Sequence, residues 1–249
     1  MHGFKDHFSS HAAEYARFRP RYPDALYRYL RSIVPKRELA WDCGTGNGQA
    51  AVALAGIFQK VIATDASKDQ IANATPHARV EYRVAPAEAS GIDTDSIDLV
   101  TVAQALHWFD LDRFYAETNR VLKSGGVLAA WAYNLLKIAA PIDAIINRYY
   151  YEVVGSFWPP ERRLVEEFDK LPFPTKELHA PTFEMAARWN LEKFVGYLKT
   201  WSATQRFIAA NHSDPLRKIE SELRSAWGDP TQIRRIAWPL ALRVGRGGP

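Results

Sequence analysis

The chain has 249 residues, 47% hydrophobic and 24% charged, with a net charge of +4. That balance excludes disorder as the main state, and no apolar run approaches the roughly 18 residues that a membrane-spanning helix needs. One cysteine, Cys43, excludes an internal disulfide and any multi-cysteine metal site; the seven histidines lack ligand spacing, so no metal is expected. The 32 basic and 28 acidic residues are interspersed, which argues against nucleic acid and leaves anionic small molecules as partners. The stretch MHGFKDHFSSHAAEYARF carries charges where a signal peptide needs an apolar run, and cytoplasmic residence is the expectation.

In chain order, Pro23-Asp24 opens a helix over 24–33 that Pro35 stops. Residues 38–42 (ELAWD) read as a first strand, followed by a glycine-rich turn and a small-residue helix over 49–58. Residues 61–65 (VIATD) form a second strand, and Ser67 caps a short helix to residue 74. Residues 80–84 are a third strand. The run IDLVTVA at 97–103 is a fourth, apolar enough to be covered on both faces. A helix over 111–122 follows, with Leu111, Phe114, Thr118 and Leu122 on one face, Lys123 in its last turn and Gly125-Gly126 as its stop. Residues 127–132 (VLAAWA) are a fifth strand. Strands alternating with helices predict an α/β protein with a parallel sheet.

Beyond Tyr133 the rhythm changes. Residues 135–181 are rich in aromatics and proline, with helical patterns over 142–153 and 161–171, and read as an insertion too apolar for a linker. A sixth strand is expected over 183–187, a helix capped by Asn190 to residue 201, another from Ser213-Asp214-Pro215 to residue 227, and a seventh strand over 233–244 broken by Pro239. Trp131, Tyr133 and Trp201 read as core, with Trp131 and Tyr133 expected on opposite sides of the fifth strand.

The segment Asp42-Cys43-Gly44-Thr45-Gly46-Asn47-Gly48 carries the chemistry. Strand, alternating glycines and helix let backbone amides approach a ligand closely. Asp65 ends the next strand about 20 residues on, where a carboxylate can accept both hydroxyls of a ribose. A dinucleotide site would want a third glycine where Gln49 stands, and Asp42 would repel a pyrophosphate. An amino-acid-bearing nucleoside fits better, with Asp42 near its ammonium and Asp65 on its ribose. A nicotinamide-binding protein, or a nucleoside-binding protein without chemistry, is the rival reading.

With Asp42-x-Gly44-x-Gly46-x-Gly48, Asp65, the Ala87-Glu88 turn and VTVAQALHWFD at 100–110, the chain resembles the class I S-adenosylmethionine-dependent methyltransferases. It looks closest to the small-molecule branch of type 11 domains that includes trans-aconitate methyltransferases, which the blocks YARFRPRYP (15–23) and YLKTWSA (197–203) support. The resemblance implies a Rossmann-like, doubly wound, seven-stranded, mostly parallel sheet with an antiparallel last strand, and S-adenosylmethionine bound at the carboxyl ends of the early strands. It implies one methyltransferase domain over 1–249: an N-terminal arm and first helix at 1–34, a cofactor-binding core at 38–134, the substrate-side insertion at 135–181 and C-terminal elements at 182–249.

The cofactor contacts it implies are Asp42, Gly44, Thr45, Gly46, Gly48 and Asp65. Many members carry an Asp where this chain has Pro86, so adenine recognition falls to the backbone near Ala87, to Glu88 or to stacking against Ala66. The backbone of Gln104 and Ala105 lines the methionine end, and Tyr15 or Arg19, in an arm rich in arginine, reaches the cofactor carboxylate. Methyl transfer from a sulfonium is an in-line displacement with a neutral leaving group, so orientation is the main demand. The acceptor is expected to be a small molecule bearing a carboxylate, hydroxyl or amine, and His107 is the candidate base for an acceptor that must lose a proton.

Overall fold

The computed structural model describes residues 20–247. Helix α1 (Asp24–Ile33) leads into strand β1 (Leu39–Cys43), helix α2 (Gln49–Leu54), β2 (Lys60–Asp65), α3 (Lys68–Ala72), β3 (Val80–Val84) and β4 (Ile97–Ala103). A single 3-10 turn (Leu106–Trp108) precedes α4 (Leu111–Val121) and β5 (Leu122–Tyr133). The next segment holds α5 (Ala140–Arg148), a π-helical turn (Tyr149–Val153) and α6 (Arg162–Glu166). It is followed by β6 (Phe183–Trp189), α7 (Leu191–Lys199), α8 (Ser202–Asn211), α9 (Glu220–Trp227) and β7 (Arg234–Arg246).

The seven strands form one sheet in the order β3-β2-β1-β4-β5-β7-β6. β1 to β5 pair in parallel, and β7 runs antiparallel to both β5 and β6. This is the seven-stranded, mostly parallel Rossmann-like sheet with an antiparallel last strand expected above. The chain winds outward from β1 to β3 and then returns to β4 on β1's other side. The loops after β1 and β4 therefore part, and the crevice of an open α/β sheet opens there.

The strand sequences explain the layering. Alternate residues of β5 enter two cores: Val127, Ala129, Trp131 and Tyr133 pack with Leu26, Leu54 and Leu99, while Leu128, Ala130 and Ala132 pack with Trp41, Val100 and Phe114. Trp131 and Tyr133 thus share a face. The expected opposition is corrected, because residues two apart in a strand point the same way. Each large apolar side chain so buried contributes about 1.5–3 kcal/mol.

Other boundaries moved for identifiable reasons. α4 ends at Val121 and β5 begins at once, so Lys123 lies in the strand, where its Nζ meets Glu38 at 2.7 Å and Asp98 at 2.8 Å. α2 stops at Leu54, four residues short of the expected end. α8 was not expected at all. β7 is not broken at Pro239. Ala237 exchanges backbone bonds with Lys137, beyond the end of the β5 ladder at Tyr133↔Leu240. By strand alternation the Pro239 nitrogen points into the gap between these two pairings, where no N–H is needed.

Among the described residues no helix is long and apolar enough to cross a membrane.

Candidate cofactor site

The turn after β1 is built from left-handed glycines. Gly44 has φ +66° and Gly48 φ +86°. A Cβ on Gly44 would stand 2.6 Å from Ala105 Cβ and 3.1 Å from the Phe109 ring, so the turn lies directly on the loop after β4. A Cβ on Gly48 would overlap the Tyr82 hydroxyl, which donates to the Thr75 carbonyl at 2.7 Å. Neither position tolerates a side chain, by conformation or by space. The turn is closed by Thr45 N–H on the Thr64 carbonyl (2.9 Å) and Gly48 N–H on the Thr45 carbonyl (3.0 Å). At Gly46, among the described residues, a Cβ would meet only Gln70 Oε1 at 3.7 Å, which marks the open part of the turn.

Asp42 lies beneath this turn and is fully buried. Its carboxylate accepts from Thr45 Oγ1 at 2.6 Å and from Thr101 Oγ1 at 2.7 Å. Burial pushes its pKa up to about 6, with the two threonine hydrogen bonds pulling in the other direction. Asp65 stands at the rim. Its Oδ2 accepts the Gly46 N–H and its Oδ1 the Ser67 N–H, both at 2.9 Å. These two amides fix the carboxylate beside the open part of the turn, with Ala66 exposed next to it.

After β3, Ala87 is buried and Glu88 is half-buried; Glu88 Oε1 accepts the Asp110 N–H at 2.9 Å, at the cap of α4. At the end of β4, Gln104 adopts φ +57°, and its side-chain amide clasps the Tyr133 backbone: Nε2 donates to the carbonyl at 3.1 Å and Oε1 accepts the N–H at 2.7 Å. That clasp locks the ends of β4 and β5 together. Ala105 follows and touches Gly44. His107 sits in the 3-10 turn, 9% exposed, its ring 4.7 Å from that of Trp108. Burial, and then the Arg162 charge, lower its pKa to about 3.

The structure thus gathers Asp42, Gly44, Thr45, Gly46, Gly48, Asp65 and Ala105 around one turn, with Ala66, Ala87, Glu88 and Gln104 on the neighbouring loops. Tyr15 and Arg19 lie outside the described residues. Two residues of the site went unread in the sequence. Thr101 is a hydroxyl in the middle of the apolar run IDLVTVA, a signal that could have found it. Tyr82 carries no such mark.

These residues fit an amino-acid-bearing sulfonium nucleoside. Bare backbone offers close approach at Gly46, an amide-held carboxylate stands beside it, and a buried carboxylate lies below.

Comparison with known proteins agrees. The family model described as "Methyltransferase domain" matches residues 41–130. A methyltransferase candidate of Dictyostelium discoideum is 39% identical over 229 residues, 90% of this chain and 87% of that protein. The Aspergillus candidus methyltransferase cfoB is 28% identical over 220 residues, 76% of this chain and 68% of its own. The solved structure of a candidate type II methyltransferase from Anaeromyxobacter dehalogenans superimposes with a TM-score of 0.87 at 47% identity, covering 92% of this chain and 98% of that one. With its sheet order, its glycine turn and these relatives, the chain belongs to the class I methyltransferases, enzymes whose cofactor is S-adenosylmethionine.

Proposed function

We propose that this enzyme methylates a small-molecule acceptor in the cytoplasm, using the turn after β1 as its cofactor cradle. The observation that carries the reading is the Asp65 carboxylate, held by the Gly46 and Ser67 amides beside the open part of the glycine turn. The cofactor, when bound, supplies an electrophilic methyl group on a cationic sulfur.

The chain's own residues supply the rest. Asp65 accepts the ribose hydroxyls. Asp42, with both oxygens engaged by threonines, acts through its charge from below the turn and holds Thr45 in place. Gly44, Gly46 and Gly48 keep the turn bare of side chains. Ala66, Ala87 and Glu88 border the adenine, and the backbone of Gln104 and Ala105 borders the methionine end. Tyr15 or Arg19 remains the proposed contact of the cofactor carboxylate. The segment over 135–181 encloses the acceptor and excludes water, consistent with its aromatic packing of Tyr150 on Trp158 and Trp201. The unit over 1–249 acts as one methyltransferase domain.

His107 was the candidate base. A pKa near 3 makes its imidazole neutral and a feeble proton acceptor at neutral pH, so we assign it to the wall of the site and expect an acceptor that arrives ready to react.

The test is transfer of a radiolabelled methyl group from S-adenosylmethionine to a panel of carboxylic acids, phenols and amines. Label in a small-molecule product supports the reading. Label confined to added RNA or protein contradicts it.

A further inference from the structure

Arg162 of α6 stands over the carboxyl ends of β4 and β5, the side of the sheet on which an acceptor must meet the methyl group. Its Nε donates to Tyr150 Oη at 2.8 Å and its Nη2 to Asn134 Oδ1 at 2.7 Å; Asn134 directly follows β5. The guanidinium carbon lies 5.3 Å from the Trp158 ring centroid and 5.7 Å from that of Tyr150. α6 packs against the 3-10 turn that bears His107, whose pKa the Arg162 charge helps to lower. The Gln104 clasp on Tyr133 ties this corner to the loop that touches Gly44.

What Arg162 lacks, among the described residues, is an anion. Its neighbour Arg163 pairs with Glu167, but among the described residues Arg162 has no ion pair, and its Nη1 makes no hydrogen bond. The nearby Glu166 is exposed and reaches it only through Tyr150, whose hydroxyl donates to Glu166 Oε1 at 2.9 Å. Both direct partners, Tyr150 and Asn134, are neutral. A half-buried cation beside a pair of aromatic rings is costly to leave uncompensated, and a planar guanidinium fixed along one edge offers the other to a planar oxyanion.

We propose that Arg162 anchors a carboxylate of the methyl acceptor, so that the enzyme's substrates are organic acids with an apolar or aromatic body. Tyr150 and Asn134 act as positioning residues that orient the guanidinium, and Trp158 covers it. The proposal rests on the methyltransferase reading above and narrows its acceptor class.

The test uses the full chain saturated with S-adenosylhomocysteine and follows the binding of benzoate and phenylacetate, each beside its neutral amide, by calorimetry. Expected is binding of the acids, with the amides weaker by about 10- to 100-fold, the range for a lost charged hydrogen-bond pair. Arg162→Gln should erase this preference while leaving S-adenosylhomocysteine affinity unchanged. Asn134→Asp, which sets a carboxylate against the guanidinium and keeps the arginine, should erase it too and serves if Arg162→Gln does not fold. Acids bound no better than amides, or acid binding undiminished in either variant, overturns the proposal. Failure of the wild-type chain to bind S-adenosylhomocysteine would strike the cofactor assignment instead.

Discussion

Asp42 and Thr101 stand opposite each other in the β1–β4 register, joined by a 2.7 Å hydrogen bond beneath the glycine turn. The carboxylate is wholly buried, and its pKa is about 6 in the folded chain against 3.8 ordinarily. The folded state therefore holds a proton that the unfolded state has released between those values. Stability falls as pH rises from about 4 to 6, by at most about 3 kcal/mol, and does not change further above that window on account of this group. Asp42→Asn, which can still bond both threonines, should lack this slope. Urea unfolding of both proteins at pH 4, 5, 6 and 7 measures it; parallel stability curves would contradict the buried-carboxylate assignment.

Gly48 and Tyr82 are coupled by space. Gly48→Ala combines a strained φ with overlap on the tyrosine hydroxyl and should destabilise by about 1–3 kcal/mol. Tyr82→Phe removes the overlapped oxygen, so the glycine substitution should be less harmful in that background. A double-mutant cycle by denaturant unfolding reads the coupling. Strict additivity would mean the turn relaxes away from β3.

His107 should be silent in catalysis near neutrality. With its pKa near 3, the imidazole stays uncharged throughout the useful range, and His107→Gln should leave the shape of the kcat profile from pH 6 to 8 unchanged. An inflection near pH 6.5 that disappears in the variant would restore it as a base. Stability carries the opposite sign to Asp42. The unfolded chain takes up the His107 proton below about 6.5 and the folded chain only near 3, so its contribution rises with pH across that interval.

The contrast between what was and was not legible in the sequence has physical causes. β4 could be read because a strand covered on both faces must be apolar throughout, and Asp65 because it ends a strand at a fixed distance from the glycine turn. The burial of Asp42 could not be read. It depends on Thr101, 59 residues away, arriving in register from across the sheet. β7 misled because a proline in a central strand is ordinarily excluded; only the course of the chain after Tyr133, which leaves a gap opposite Pro239, makes it harmless. α8 escaped notice because its buried side, Ala203, Thr204 and Phe207, is small and partly polar. Arg162 was one charge among 32 basic residues until the fold showed that it lies near the strand ends with no counter-charge among the described residues.

The central assignment is the Asp65 carboxylate as the ribose acceptor beside the glycine turn, and calorimetric titration of S-adenosylhomocysteine into wild-type and Asp65→Ala protein tests it most directly. Expected is one-to-one binding to the wild type and an affinity about 10- to 100-fold lower in the variant, the loss of charged hydrogen bonds to two hydroxyls. Equal dissociation constants for the two proteins, or no binding by a folded wild-type chain, would contradict it.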